Sequence, residues 1–157
     1  MRFYLLLKAI HVAGAAVLFG TGLGIAFFKW STDRTANAAA IRVVSEQVVL
    51  ADWMFTLPAI VLQALSGITL AEWAGYPLLR GWLGCSLALF CVAGCCWIPV
   101  VWLQLRMRAL ARAAEREHTP LGPAYRSYAR LWFWLGMPAF AALLLVFWLM
   151  VAKPQLP

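Results

Sequence analysis

Four apolar runs, each at least as long as a bilayer core is thick, leave this chain almost no alternative to a membrane-spanning helical bundle. They occupy residues 3–28, 53–73, 82–105 and 131–151. A spanning helix needs roughly 20 mostly apolar residues. In hydrocarbon every backbone N–H and C=O must find its partner within the protein, which a helix does within its own segment. Composition agrees: 64% of the residues are hydrophobic and 12% are charged, against about a quarter charged in a soluble domain. What remains outside the four runs suffices for helix extensions and short loops, with no room for a separate soluble domain. The expectation is an all-α fold, a four-helix transmembrane bundle forming a single transmembrane domain over residues 1–157. The first run is read as a retained helix. It is too long for a signal peptide, and no A-x-A cleavage site is followed by a soluble mature chain.

Local signals set the boundaries. The first run ends in Lys29-Trp30, an interface pair. Ser31, Thr32 and Asp33 are expected to break the helix, and Asn37 to restart one. Residues 41–53 read as an amphipathic approach to the second span, with Arg42 and Glu46 at ion-pair spacing. Pro58, Pro99 and Pro138 predict kinks in helices two to four. Residues 75–81 form a short turn, the third helix continues as a charged extension to Arg116, and the proline-rich residues 118–123 mark a break. Trp30, Trp53, Trp73, Trp82, Trp132 and Trp148 sit near span ends as belt residues, whereas Trp97 and Trp102 lie further in and would face either a ring-shaped ligand or lipid.

Charge sets the orientation. Lys29, Arg34, Arg42, Arg106, Arg108, Arg112, Arg116, Arg126 and Arg130 fall on one side, against Arg2, Arg80 and Lys153 on the other. Nine against three places the first and third loops in the cytoplasm and both termini outside it, N-out and C-out. In a bacterium that means an inner-membrane protein with periplasmic termini. The net charge of +7 therefore reports topology and contact with anionic lipid. No motif of a nucleic-acid binder accompanies it.

Polar residues inside a membrane are functional candidates by default. Here they are Lys8, His11, Asp52, Gln63 and Ser66, with Thr21, Thr56, Thr69 and Ser86 as weaker members. Lys8 and His11 share a helix face. Lys8 either snorkels to the surface or pairs with an anion such as a propionate or lipid phosphate. His11 lies about 10 Å deep at 1.5 Å per residue. It is a hydrogen-bonded helix contact, a metal or haem ligand, or a proton relay. Asp52, Thr56, Ala59, Gln63 and Ser66 form a stripe at helical spacing that must point into the bundle. Counting from the outer ends brings Gln63 level with His11, so Gln63 or Ser66 can bond the free ring nitrogen, the support that a histidine ligand needs. Asp52 is either a surface or cap carboxylate or a proton entry point, and His118 is a solvated loop residue. Gly14, Gly20, Gly22 and Gly24 predict a tightly packed first helix rather than a lipid-facing one. Cys85, Cys91, Cys95 and Cys96 all lie in one apolar run, where a thiol usually packs as a small buried hydrophobe. No phosphate loop, H-E-x-x-H motif or nucleophile–base pair appears.

The runs YLLLKAIHVAGAAVLFGTGLGIAFFKW, VVLADW, PVVWLQLRMR and WLMVAKP resemble a bacterial family of predicted integral membrane proteins known as domain of unknown function 2269. The likeness covers essentially the whole chain and implies topology but no activity. More distantly, Lys8-Ala9-Ile10-His11, with Pro58, Gly67 and the Trp82 region, is similar to the membrane protoporphyrinogen oxidases of haem synthesis, and more loosely to the copper-resistance D-type membrane proteins. The oxidase resemblance implies haem b on His11, with Lys8 near a propionate, Gln63 and Ser66 in support, and a membrane oxidoreductase activity. The oxidase pattern carries a further histidine on a later helix, and residues 85–105 contain none. A single chain is thus expected to supply one axial ligand, with a second available only from another copy of His11. Three functions follow: a haem- or porphyrin-binding redox protein, a small transporter or metal-handling protein using a polar track of Lys8, His11, Asp52 and Gln63 with Thr56 beside Asp52, or an accessory subunit covered by a membrane partner or a second copy.

Overall fold

A computed structural model describes residues 2–155, which form five α-helices and one π-helical turn. Helix α1 is Arg2–Asp33, α2 is Ala38–Ala51, the π-helical turn is Asp52–Thr56, α3 is Leu57–Trp73, α4 is Gly81–Arg116 and α5 is Pro123–Ala152. Since α2, the π turn and α3 run on without a break, they make one rod, Ala38–Trp73. The chain therefore has four helices long and apolar enough to cross a membrane.

Capping chemistry explains the ends. Asn37 stands at the N-cap of α2, and its side-chain oxygen accepts from the Ala40 N–H at 3.1 Å. Pro123 opens α5 in the first turn, where its missing N–H costs nothing. Ser31, Thr32 and Asp33 do not end α1. The helix runs through them to Asp33, because Asp33 is held by Lys29 one turn back. Helix α5 likewise begins well before residue 131, at Pro123, and Tyr125 in its first turn is tied to Lys29 and Asp33 of α1. Pro58 leaves its mark in the turn before it. Without an N–H it cannot bond the Met54 carbonyl, and its ring crowds that carbonyl. The backbone takes up an extra residue, so that the Leu57 N–H reaches back to the Asp52 carbonyl in π fashion.

Neighbouring spans are antiparallel. His11 meets Ser66, Phe19 stacks on Phe140 at 4.5 Å, and Lys29 meets Tyr125. Consequently the loops at 34–37 and 117–122 share one end of the bundle with the nine basic residues. The best-packed core lies toward that end, where Ile41, Val100, Leu103, Met107, Ala111, Tyr125 and Trp132 form one buried cluster. Trp132 belongs to this core rather than to an interface belt. An ion network fastens α2 to the end of α4: Arg42 pairs with Glu46 at 2.9 Å and with Glu115, and Arg112 pairs with Glu46 at 2.7 Å.

Two packing expectations need correction. Of the glycines of α1, Gly14 is buried, but around Gly20, Gly22 and Gly24 an added Cβ would meet nothing within 4 Å. Cys85, Cys91 and Cys95 are free and on the outer face. The cause is common to both. Lipid solvates small and apolar side chains as well as a protein interior does, so neither type is driven inward.

Candidate functional site

Toward the opposite end of the bundle, α1 and α3 approach closely because small residues stand where they cross. A Cβ on Gly14 would lie 2.7 Å from Gln63 Nε2 and 2.9 Å from Leu62 Cδ2, and a Cβ on Gly67 would lie 3.2 Å from His11 Cε1. The half-buried imidazole of His11 thus rests against the Gly67 backbone. Gln63 Nε2 donates to the His11 carbonyl at 2.7 Å. Ser66 Oγ lies 2.8 Å from His11 Nδ1. Of the two partners expected for the ring, Ser66 reaches it and Gln63 binds the backbone behind it.

The direction of the Ser66 contact follows from counting hydrogens. A hydroxyl has one. Ser66 donates it to the carbonyl of Leu62, one turn back on its own helix. With its hydrogen so placed, Oγ is free to accept from an Nδ1–H of His11, the ring tautomer that satisfies both contacts together. In that tautomer the lone pair lies on Nε2, and no side-chain hydrogen bond engages Nε2 among the described residues. A histidine held in this way, with one nitrogen tied down and the other bare, is prepared as a metal ligand or as a proton acceptor.

Lys8 is exposed, one turn above His11, and makes no ion pair among the described residues. Two turns above His11 on the same seam, Phe3, Tyr4, Trp73 and Ala74 line a shallow depression open to the surroundings. Below His11 the interior is tight. A cavity of about 30 Å³ lined by Ala15, Leu18, Phe19, Gln63, Phe90, Leu143, Val146 and Phe147 has room for about one water. His11 lines neither space, and the inner one is too small to enclose a flat cofactor. His118, in the loop after α4, is at the other end of the molecule. No group of three or more His, Cys, Asp or Glu residues converges among the described residues.

Asp52 and Thr56 do not join His11. Both are buried in the π turn, each 6% exposed, so Asp52 is neither a surface nor a cap carboxylate. The stripe Asp52, Thr56, Ala59 and Ser66 is buried throughout, yet it serves two separate clusters. Two groups escaped the sequence reading. Gln104, 3% exposed, stands beside Asp52, and its amide within an apolar run was the available signal. Lys29, 1% exposed, is no interface residue. It donates to both oxygens of Asp33 at 2.7 Å and to Tyr125, whose hydroxyl donates to Asp33 at 2.7 Å. The spacing of Lys29 and Asp33 announced the first contact, and nothing announced Tyr125.

A family model described as "Predicted integral membrane protein (DUF2269)" matches residues 5–154 of the chain. No curated protein and no solved structure matches it.

Proposed function

The chain belongs to the DUF2269 family of integral membrane proteins, and from that premise we propose that it is a bacterial inner-membrane redox protein that binds haem b or a related porphyrin through His11. The observation that carries the reading is the setting of His11: Ser66 Oγ lies 2.8 Å from Nδ1 while itself bonded to the Leu62 carbonyl, an arrangement that suits Nδ1–H and leaves Nε2 without a side-chain partner among the described residues. A bound haem supplies one-electron chemistry. The chain's own residues do the rest. Ser66 fixes the ring and raises its basicity as a ligand. Gln63 pins the backbone of the ligand turn. Lys8 offers a positive charge one turn above, suited to a propionate. The aromatic groove at Phe3, Tyr4 and Trp73 gives a ring system an apolar surface on the same seam. The likeness of Lys8-Ala9-Ile10-His11 to the membrane oxidase pattern supports the same assignment. In this reading the basic end faces the cytoplasm, and His11 lies in the periplasmic half.

The test is the absorption spectrum of the full chain purified in detergent from haem-sufficient cells. A Soret band is expected, and His11→Ala should abolish it. Ser66→Ala should keep the pigment but lower its retention by about 10–100-fold, the usual effect of removing a ligand's hydrogen-bond partner. Colourless protein from such cells would end the reading. Full haem content in His11→Ala would end the ligand assignment.

A further inference from the structure

The basic end of the bundle holds more positive charge than its acids answer. Asp33 is taken by Lys29 and Tyr125, Glu46 by Arg42 and Arg112, and Glu115 by Arg42. Arg34, Arg106, Arg108, Arg116, Arg126 and Arg130 enter no ion pair among the described residues. Two of the six are nonetheless held in place. The Arg106 guanidinium lies over the Trp102 ring at 5.3 Å, and that of Arg34 over Trp30 at 4.2 Å. Such contacts fix a flexible cation on an aromatic face.

At Arg106 a second helix completes the setting. Trp102 meets Tyr128 of α5 edge to face, with ring centroids 5.8 Å apart. The pair stands where two apolar runs end: Arg106 directly follows the run at 82–105, and Tyr128 comes one turn before the run at 131–151. This is the depth of the headgroups, where aromatic and basic side chains collect. The side-chain hydrogen bonds made by arginines among the described residues belong to Arg42 and Arg112, so the donors of Arg106 are uncommitted. Toward the bilayer centre, Ile98 is 67% exposed and Trp102 48%, one turn apart on the same face of α4. A cationic fork with a bare apolar track beneath it has the order of a phosphate above an acyl chain.

We propose that Arg106, Trp102 and Tyr128 bind one anionic phospholipid, with its phosphate on the Arg106 guanidinium and an acyl chain along Trp102 and Ile98. A guanidinium fork matches phosphate oxygens in pairs, and basic pockets between membrane helices take anionic headgroups. Charge selects an anionic lipid over a zwitterionic one. The ammonium of a zwitterionic headgroup needs a carboxylate nearby. At this end the acid outside the ion pairs is Glu117, three turns beyond Arg106, or about 16 Å along the axis of α4. An acidic soluble protein would meet the guanidinium but leave the apolar track below it uncovered. The site lies at the opposite end from His11 and does not depend on the cofactor reading.

The experiment uses the full chain, stripped of lipid, in a neutral detergent. Phosphatidylglycerol and phosphatidylethanolamine with the same acyl chains are titrated separately, and bound lipid is counted by native mass spectrometry. Phosphatidylglycerol is expected to fill one tight site per chain, at least about tenfold more tightly than phosphatidylethanolamine. Arg106→Gln should erase that preference, and Trp102→Leu should weaken phosphatidylglycerol by at least about threefold. Arg116→Gln removes the same charge from an exposed position further along α4 and should leave the affinity within about twofold. Equal affinity of the wild type for the two lipids overturns the proposal. So does an equal loss in Arg106→Gln and Arg116→Gln, which would make the preference a matter of net charge. Displacement of the lipid by millimolar inorganic phosphate also overturns it, in favour of a site for soluble anions. Should Arg106→Gln fail to fold, the wild-type preference and the Trp102→Leu variant still decide.

Discussion

The Lys29–Asp33 pair is asymmetric, and the asymmetry has a measurable consequence. The lysine side chain is 2% exposed and the aspartate 21%. Removing Asp33 strands a buried ammonium with Tyr125 alone, whereas removing Lys29 leaves a carboxylate that water and the Tyr125 hydroxyl still serve. Asp33→Leu is therefore expected to cost about 3–5 kcal/mol, and Lys29→Met about 1–3 kcal/mol. Denaturant titration of the purified variants in mixed micelles checks the order, and equal losses would show that the pair shares its burial evenly. At the α1–α3 crossing, Gly14→Ala drives a Cβ into Leu62 and the Gln63 amide and should destabilise by about 1–3 kcal/mol by the same assay. Gly20→Ala, with open space around it, should cost nothing measurable. These four positions show what single residues in a membrane sequence reveal. The Lys29–Asp33 spacing was readable, and so was Gly14 as a small residue at a contact. The burial of Lys29 depends on Tyr125, 96 residues away in sequence, and Gly20 looks no different from Gly14 in a chain whose outside is as apolar as its inside.

At the scale of elements, the lengths and order of the spans were legible because hydrocarbon thickness and backbone satisfaction allow little else. Asn37 and Pro123 wrote the starts of α2 and α5 in capping chemistry. The π turn was not legible. Pro58 announces a disturbance, but a bend and an inserted residue are alternative ways to relieve it, and the choice depends on what packs beside the turn. A π turn is a single residue inserted into an α-helix, which leads to a specific expectation. Deleting the exposed Phe55 should let the turn close as α-helix while α2 and α3 keep their mutual register, so the protein should still fold and keep the His11–Ser66 contact. Deleting the equally exposed Val61 rotates everything beyond it by about 100° and takes Ser66 off the seam. Size-exclusion profiles and detergent thermal stability separate the two. Comparable damage from both deletions would mean that the π geometry itself is needed for folding.

The whole molecule is polarised along its long axis. One end carries the ion network of Arg42, Glu46, Arg112 and Glu115, the Lys29 triad and the largest buried core. The other holds His11, the aromatic groove and the short turn between α3 and α4. The charge asymmetry bears on which side of the membrane each end meets. The excess of Lys and Arg leads to the expectation that the basic end stays in the cytoplasm. The two loops offer a direct test, since Tyr76 and His118 are both exposed at opposite ends. With Cys85, Cys91, Cys95 and Cys96 replaced by alanine, Tyr76→Cys should react with a membrane-impermeant maleimide in intact spheroplasts. His118→Cys should react only after the membrane is opened. The reverse pattern would invert the molecule and put His11 in the cytoplasmic half. The Lys8 charge would then face the cytoplasmic leaflet, where anionic lipid headgroups would compete for it with the propionate of the proposed haem. Sidedness thus bears on chemistry as well as on address, because it determines which anions Lys8 encounters one turn from His11.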